Sequence, residues 1–170
     1  MKTSTFIVAA LLLAAATVAD AKNQKQVWPD GTPMESWFTD TAKVDVSALG
    51  RQYVITDYGV KNDSTLLQTE AIQKVIDTAA EAGGGVVVVP RGTFFTGSLF
   101  FRPGTHLHMA EGSRLKGSDA ITHYKIVKTR LEGQTLNYFA ALINANGVDG
   151  FTITGRGTID GNGRRFYDEF

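Results

Sequence analysis

The chain has 170 residues, of which 43% are apolar and 20% are charged, a composition typical of a folded protein and not of a disordered one. Lysine plus arginine and aspartate plus glutamate number 17 each, so the formal net charge is zero. The basic surface of a nucleic-acid-binding protein is therefore not indicated. The sequence contains no cysteine, which excludes disulfides and thiolate metal sites.

The N-terminus has the pattern of a signal peptide. Lys2 precedes an apolar run from Phe6 to Val18, and Ala19-Asp20-Ala21 provides small residues around a cleavage site. The run is shorter than the ~20 residues that span a bilayer. We predict that residues 1–21 are removed and that the protein is exported, to the periplasm or outside the cell, without remaining in the membrane. A retained anchor is disfavoured because no stop-transfer pattern follows.

Residues 22–52 form a predicted extension that packs on the main body. Pro29-Asp30-Gly31 predicts a turn, and Val44-Asp45-Val46 alternates like a short edge strand. Both tryptophans, Trp28 and Trp37, lie in this segment. They could stack on sugars, although packing is the commoner role for tryptophan in such a segment.

One amphipathic helix is predicted before a series of strands. Apolar residues recur on one face at helical spacing: Leu66, Ile72, Val75, Ile76 and Ala79. Thr65 and Gln68 have the spacing of a capping box at the helix start, and Gly83-Gly84-Gly85 predicts its end. A single helix in this position suits a cap over the end of a solenoid.

Short strands follow the helix. Val86 to Val89 is a continuous apolar run, which predicts a fully buried strand. Further strand-like segments are Thr93 to Phe95, Ser98 to Phe101, Thr105 to Met109, Phe139 to Ile143 and Phe151 to Thr154. Leu99, Leu107 and Leu115 recur at a step of eight. This step fits the successive faces of a coil better than the longer repeats of propellers or helical arrays.

The stretch from Lys116 to Asn137 is longer and more polar than the other connections. We predict that it is a loop that leaves the coil and returns to it. Long loops on rigid scaffolds are where binding residues concentrate.

In order and spacing, these segments resemble the N-terminal part of glycoside hydrolase family 28, the polygalacturonase family, especially its bacterial exo-acting and rhamnogalacturonan-type members. The matching stretches include Ile55-Thr56-Asp57-Tyr58-Gly59-Val60, Ala82-Gly83-Gly84-Gly85-Val86-Val87-Val88-Val89-Pro90, Leu115-Lys116-Gly117-Ser118 and Gly155-Arg156-Gly157-Thr158-Ile159-Asp160-Gly161-Asn162-Gly163. The resemblance implies an all-β protein. Residues 53–170 would form a right-handed parallel β-helix of the pectin lyase-like type, with one N-terminal capping helix and an incomplete C-terminal end.

The resemblance also implies hydrolysis of galacturonosyl linkages in pectic polysaccharides or oligogalacturonides, with inversion. In that chemistry a carboxylic acid protonates the leaving oxygen while a carboxylate activates water. The family's Asn-Thr-Asp, Asp-Asp, Gly-His-Gly and Arg-Ile-Lys segments are not found in this sequence. We therefore predict no catalytic residue, metal ligand or cofactor, and we expect the 170-residue chain to be a fragment that is inactive by itself.

The resemblance points to Tyr124, Arg130 and Glu132 as substrate-binding residues in the long loop. Arginine is favoured for two-pronged contacts with the carboxylates of uronic acids. A solvated pair formed by Arg130 and Glu132 is the alternative interpretation.

Two other sets of residues favour structural roles. Asp160 precedes Gly161, a pair that favours a tight turn. His106 and His108 share one face of a strand, and two ligands without a third make a poor metal site.

Two functional alternatives remain open. A pectate lyase shares the β-helix but uses calcium, which needs clustered oxygen ligands, whereas the acidic residues here are mostly scattered singly. A non-catalytic β-helix for carbohydrate binding or adhesion would also explain the missing carboxylate segments.

Overall fold

The computed structural model describes residues 27–39 and 44–168. The chain divides into two compact units, with the boundary between Lys43 and Val44. The predicted signal peptide lies outside the described residues. Within the described ranges, no helix is long and apolar enough to cross a membrane.

The first unit contains the predicted turn at Pro29-Asp30-Gly31. The amide of Gly31 donates to the carbonyl of Trp28 at 2.8 Å, and Val27 and Pro33 form an antiparallel bridge around the turn. Helix α1, Ser36–Thr39, follows.

Both tryptophans of this unit contact one phenylalanine. The ring of Trp37 stacks on Phe38 with 3.6 Å between centroids, and Trp28 meets the same ring edge-on at 4.9 Å. Trp37 nevertheless remains 66% exposed.

The second unit opens with a 3₁₀ helix, Val46–Leu49. The side chain of Asp45 accepts hydrogen bonds from the amide and hydroxyl of Ser47, at 2.9 and 2.7 Å. The predicted edge strand at residues 44–46 is therefore wrong, because the aspartate caps a helical turn in its place.

The second unit continues with twelve described strands and two described α-helices. The strands are β1 Gln52–Val54, β2 Asp63–Leu67, β3 Gly85–Val89, β4 Gly92–Thr96, β5 Leu99–Phe100, β6 Thr105–Met109, β7 Ser113–Gly117, β8 Ile126–Leu131, β9 Gln134–Phe139, β10 Ile143–Asn144, β11 Ile153–Gly155 and β12 Thr158–Asp160. The helices are α2 Thr69–Glu81 and α3 Arg164–Asp168, with further 3₁₀ helices at Ile55–Tyr58 and Ile121–His123.

Ten of these twelve strands form three parallel sheets that the chain visits in rotation. The first sheet has the order β1-β3-β6-β11, the second β2-β4-β7-β12, and the third contains β5 and β10. Each strand pairs with its equivalent in the next coil; Val87 lies opposite Leu107, which in turn lies opposite Ile153. This topology is that of a parallel β-helix and confirms the predicted fold class.

The interior of the coils is lined by one leucine from each sheet. Leu99 in β5, Leu107 in β6 and Leu115 in β7 are at most 1% exposed, so the step of eight does mark successive faces of a coil. Phe94 in β4 is also fully buried in the same core. The all-apolar strand β3 is buried along its whole length, as predicted.

Helix α2 covers this core with Ile72, Val75, Ile76 and Ala79, which confirms the predicted cap. It ends at the glycines, as predicted. The end is a Schellman motif, in which the amides of Gly83 and Gly84 donate to the carbonyls of Ala80 and Ala79 at 3.0 and 2.8 Å.

The predicted start of this helix is wrong. Residue Leu66 belongs to β2 and is 44% exposed. The capping box is not formed, because the hydroxyl of Thr65 donates to Asp63 and the side chain of Gln68 bonds to the backbone of Lys61. The helix begins at Thr69, where the chain has left the second sheet.

Candidate functional site

The polar stretch between β7 and β10 is a β-hairpin and not an irregular loop. Strands β8 and β9 pair antiparallel, from Ile126 opposite Phe139 to Leu131 opposite Gln134. The two turn residues, Glu132 and Gly133, have φ angles of +49° and +83°. Two positive φ angles define the type I′ turn that matches the twist of a hairpin. The predicted excursion is confirmed, but it starts after β7, so that Lys116 belongs to the coil, and its outer part is a regular hairpin where a loop was predicted.

Tyr124 anchors the base of the hairpin. It is 9% exposed, and its hydroxyl donates to the carbonyl oxygen of Ser118 at 2.8 Å. The hydroxyl fits there because residue 117 is glycine; a Cβ at Gly117 would lie 2.9 Å from it. The ring also packs near Phe139 and Phe166, with centroids 6.2 and 6.3 Å away. Burial of the phenol raises the pKa of Tyr124 above its usual value.

The base is also fixed to the preceding coil. The amide of Lys125 donates to the hydroxyl of Ser98 in that coil at 3.1 Å. The carbonyl of Lys125 accepts from the amide of Ala140, just after β9, at 2.8 Å. A Cβ at Gly97 would lie 1.9 Å from the carbonyl oxygen of His123. The excursion is thus seated directly against the backbone of the coil.

Beyond the Ile126–Phe139 pair at its base, the hairpin has one polar face. Alternate residues of a strand point to opposite sides, and the cross-strand pairs Lys128–Asn137 and Arg130–Thr135 fall on the same side. We call these four exposed residues the polar face: Lys128, Arg130, Thr135 and Asn137. The other side carries Val127, Thr129, Leu136 and Tyr138, which are all partly buried.

The polar face presents two cations and no acid. Lys128 and Arg130 are two residues apart in β8, which separates their Cα atoms by about 7 Å. Opposite them, Asn137 and Thr135 supply an amide and a hydroxyl. The face can therefore bind carboxylates with charge-assisted hydrogen bonds and hydroxyl groups with neutral ones.

The structure brings two of the three predicted binding residues together. Arg130 lies on the polar face and Glu132 in the turn beside it, and both are exposed. Among the ion pairs of the described residues, none joins Arg130 to Glu132. Tyr124 is at the other end of the hairpin, about 20 Å of extended chain from Arg130. That these three residues bind substrate stays a prediction.

Lys128 was missed by the sequence reasoning. Lys128 lies two residues before Arg130, and this spacing places both side chains on the same side only if the segment is a strand.

Asp160 is engaged in structural contacts. Its carboxylate accepts from the amide of Asn162 at 2.9 Å and from Nε of Arg114 on the adjacent coil at 3.1 Å. These hydrogen bonds, the one from Asn162 above all, lower the pKa of Asp160. The geometry agrees with the structural interpretation of this residue.

The two histidines of β6 share the outer face of the first sheet, as predicted. Nδ1 of His108 lies 2.8 Å from the hydroxyl of Thr154, while the side chain of His106 points to the same side. In the described part of the chain, no three His, Asp or Glu side chains converge in a group that could hold a metal ion.

Comparison with known proteins places this geometry in a family. Residues 53–150 match the family described as rhamnogalacturonase A/epimerase, pectate lyase-like. The chain belongs to this family. It is also 34% identical over 147 residues to the exo-poly-alpha-D-galacturonosidase of Dickeya chrysanthemi, an alignment that covers 82% of this chain and 24% of that protein. The chain thus spans about a quarter of the length of this curated relative.

Two solved structures share the fold at appreciable sequence identity. The exopolygalacturonase of Thermotoga maritima is 29% identical with a TM-score of 0.61, and the match covers 65% of this chain and 25% of that one. The Family 28 exopolygalacturonase of Yersinia enterocolitica is 31% identical with a TM-score of 0.58, over 66% of this chain and 21% of that one. The predicted resemblance to glycoside hydrolase family 28 is confirmed.

Proposed function

We propose that this chain is part of a glycoside hydrolase that cleaves galacturonosyl linkages in pectic polysaccharides, and that the hairpin contacts the uronic acid units. The observation that carries the proposal is the polar face, on which Lys128 and Arg130 are exposed beside an amide and a hydroxyl. Pectic chains present a carboxylate and several hydroxyl groups on each unit, and this is the chemistry that such a face recognises.

Each residue of the polar face, together with Glu132 and Tyr124, has a distinct role in this proposal. The planar guanidinium of Arg130 binds one carboxylate through two parallel hydrogen bonds, whereas Lys128 provides a point charge for a neighbouring carboxylate. Asn137 and Thr135 bond to hydroxyl groups. Glu132, in the turn, accepts a hydrogen bond from a sugar hydroxyl. Tyr124 positions the hairpin from below, since its own hydroxyl is bonded to Ser118.

The proposed reaction is hydrolysis with inversion. One carboxylic acid donates a proton to the glycosidic oxygen while a second carboxylate takes a proton from the attacking water. We expect the 170-residue chain to bind oligogalacturonides without hydrolysing them, because the Asn-Thr-Asp and Asp-Asp segments of the family are not among its residues.

The test is the binding of trigalacturonate to the 170-residue chain by titration calorimetry. Arg130→Gln and Lys128→Gln should each weaken binding about tenfold, the size expected for loss of a charge-assisted contact. Arg156→Gln, which removes an exposed cation outside the hairpin, serves as the matched control and should bind like the wild type. If all three variants bind equally well, the hairpin is not the binding surface.

A chain extended through the family's carboxylate segments separates the alternative functions, because the 170-residue chain is expected to be inactive. New reducing ends without unsaturated products would indicate hydrolysis, whereas an unsaturated product would indicate β-elimination by a lyase. Tight binding with neither product, from a chain extended through the family's carboxylate segments, would favour a non-catalytic binding protein.

We further propose that the protein is exported, as the leader-like residues 1–21 predict. Mass spectrometry of the protein recovered from the periplasm or the medium should find Lys22 as its first residue. Recovery of the chain in the membrane with Met1 still present would contradict this.

A further inference from the structure

A cavity of about 560 Å³ opens beside the base of the hairpin. It is bounded by β2, the first turn of α2, and the segment from the 3₁₀ helix at 121–123 to the start of β8. The residues that define its chemistry are Lys61, Leu66, Leu67, Glu70, His123 and Lys125. Its size lies in the range of small-molecule sites, which run from about 300 to 1,000 Å³.

The first cation of this cavity, Lys61, is fixed by a buried glutamine. The side chain of Gln68, 6% exposed, accepts from the amide of Lys61 at 2.7 Å and donates to its carbonyl at 2.8 Å. The backbone of Lys61 is thereby fixed at the cavity wall, and its ammonium group interacts electrostatically with the carboxylate of Asp63.

The second cation, Lys125, and the imidazole of His123 come from the segment that leads into the hairpin. Lys125 is bonded through its amide to Ser98, and its ammonium group lies 5.4 Å from the ring centroid of Phe100. His123 is oriented by the fully buried Ser118, whose hydroxyl lies 2.7 Å from Nδ1. Both residues are therefore preorganised by contacts with the coil, and no ligand is needed to order them.

The cavity also has an apolar wall and a single carboxylate. Leu66 and Leu67 both line the cavity and are 44% and 38% exposed, so they form its apolar part. Glu70 is the one acidic residue among those that line the cavity. Two cations and two exposed leucines in the lining of one cavity match a molecule that has a carboxylate and a C–H-rich ring face.

We propose that this cavity binds one carboxylate-bearing sugar, with Lys61 and Lys125 on the carboxylate and the two leucines against the ring. The choice of a uronate as the sugar acid rests on the proposed function; the cavity itself selects for a carboxylate joined to an apolar ring face. Inorganic anions lack that face and would leave the leucines in water.

The experiment titrates the ¹⁵N-labelled 170-residue chain with galacturonate, with galactose as its neutral counterpart and with inorganic phosphate. Galacturonate should shift the amide signals of Leu66, Leu67 and His123, and galactose and phosphate should bind at least tenfold more weakly. Lys61→Gln and Lys125→Gln should each weaken galacturonate binding about tenfold.

Two further variants are not expected to weaken galacturonate binding. Glu70→Gln removes a like charge and should tighten galacturonate binding severalfold. Arg91→Gln removes an exposed cation from a turn that does not line the cavity and should leave binding unchanged. Spectra of each variant with native signal dispersion would show that the fold is intact.

The outcomes separate this inference from the proposed function. Shifts confined to Lys128, Arg130 and their neighbours would overturn the cavity site and leave the hairpin proposal standing. Shifts in the cavity, with trigalacturonate binding unaffected by Arg130→Gln, would support the cavity and overturn the hairpin. Equal binding of phosphate and galacturonate, or of galactose and galacturonate, would refute a sugar-acid site.

Discussion

The stacked coils and the hairpin follow different physical rules. In the coils, side chains such as Phe94 and Leu115 are completely buried, and each residue is constrained by the strands before and after it. In the hairpin, the base is held against the coil, whereas the polar face further out has its side chains in solvent. The residues that the coils need for stability and those that the hairpin offers to a ligand are therefore separate sets.

Phe94→Ala is the most severe way to test this separation. The ring is fully buried where the second sheet meets the core, so its removal should lower the free energy of unfolding by about 3–5 kcal/mol. Ile126→Ala, in a hairpin residue that is 65% exposed, should change it by less than about 0.5 kcal/mol. Urea denaturation measures both. Similar losses for the two variants would mean that the hairpin is as much a part of the core as the coils.

Gly97→Ala tests the contact between the coils and the base of the hairpin. A Cβ there would lie 1.9 Å from the carbonyl oxygen of His123, so the hairpin base must move away from the coil. We expect a loss of about 2 kcal/mol or more, together with faster amide exchange in β8 and β9. Gly161→Ala is the matched control, because a Cβ at Gly161 meets no atom within 4 Å. Unchanged amide exchange in Gly97→Ala would show that this contact does not position the hairpin.

Tyr124→Phe removes one hydroxyl from the hairpin base without creating a large cavity. Loss of its hydrogen bond to Ser118 should cost about 1–2 kcal/mol at neutral pH. Burial raises the pKa of Tyr124 in the folded state, so the native protein resists ionisation that the unfolded chain undergoes near pH ~10. The stability from this group is thus fully present below that pH and is lost as the pH rises through the folded pKa.

Alkaline denaturation checks the prediction for Tyr124. The difference in unfolding free energy between the wild type and Tyr124→Phe should shrink above pH ~10, because the variant has no phenol to ionise at this position. Other tyrosines and lysines titrate in both proteins, and their effects cancel in the difference. A constant difference up to pH ~11 would contradict the assignment of the raised pKa to Tyr124.

The coils were largely predictable from the sequence because burial leaves a pattern. The apolar run at 86–89 and the three leucines spaced by eight are direct consequences of side chains that point into a common core. The start of α2 was not, because Thr65 bonds to Asp63 two residues earlier and Gln68 bonds to the backbone of Lys61 seven residues earlier. Local spacing alone favoured a capping box at Thr65, and the tertiary arrangement placed Leu66 in a strand.

The hairpin was harder to predict because exposed strands lack that pattern. Residues 126–131 alternate only weakly between apolar and polar side chains, and the turn uses Glu132 where asparagine or glycine is usual. Arg130 and Glu132 could be named from a resemblance, but the polar face could not. It needed the register that places Lys128 opposite Asn137 and Arg130 opposite Thr135.

Glu132→Asn is the mildest test and the one that bears most directly on function. Glu132 has a φ of +49°, a conformation that costs a residue with a Cβ about 1 kcal/mol, whereas asparagine tolerates it well. We expect a gain of about 0.5 kcal/mol in hairpin stability, seen as slower amide exchange in β8 and β9. Glu111→Asn is the matched control, since Glu111 also precedes a glycine but is not among the non-glycine residues with positive φ.

The same variant should weaken trigalacturonate binding if Glu132 accepts a hydrogen bond from a sugar hydroxyl, since asparagine loses the charge and one acceptor oxygen. A gain in stability together with a loss in affinity would mean that the strained turn residue is kept for its contact with the ligand, as occurs at binding sites elsewhere. A gain in stability with unchanged affinity would remove Glu132 from the binding surface and leave Arg130 and Lys128 as its charged groups.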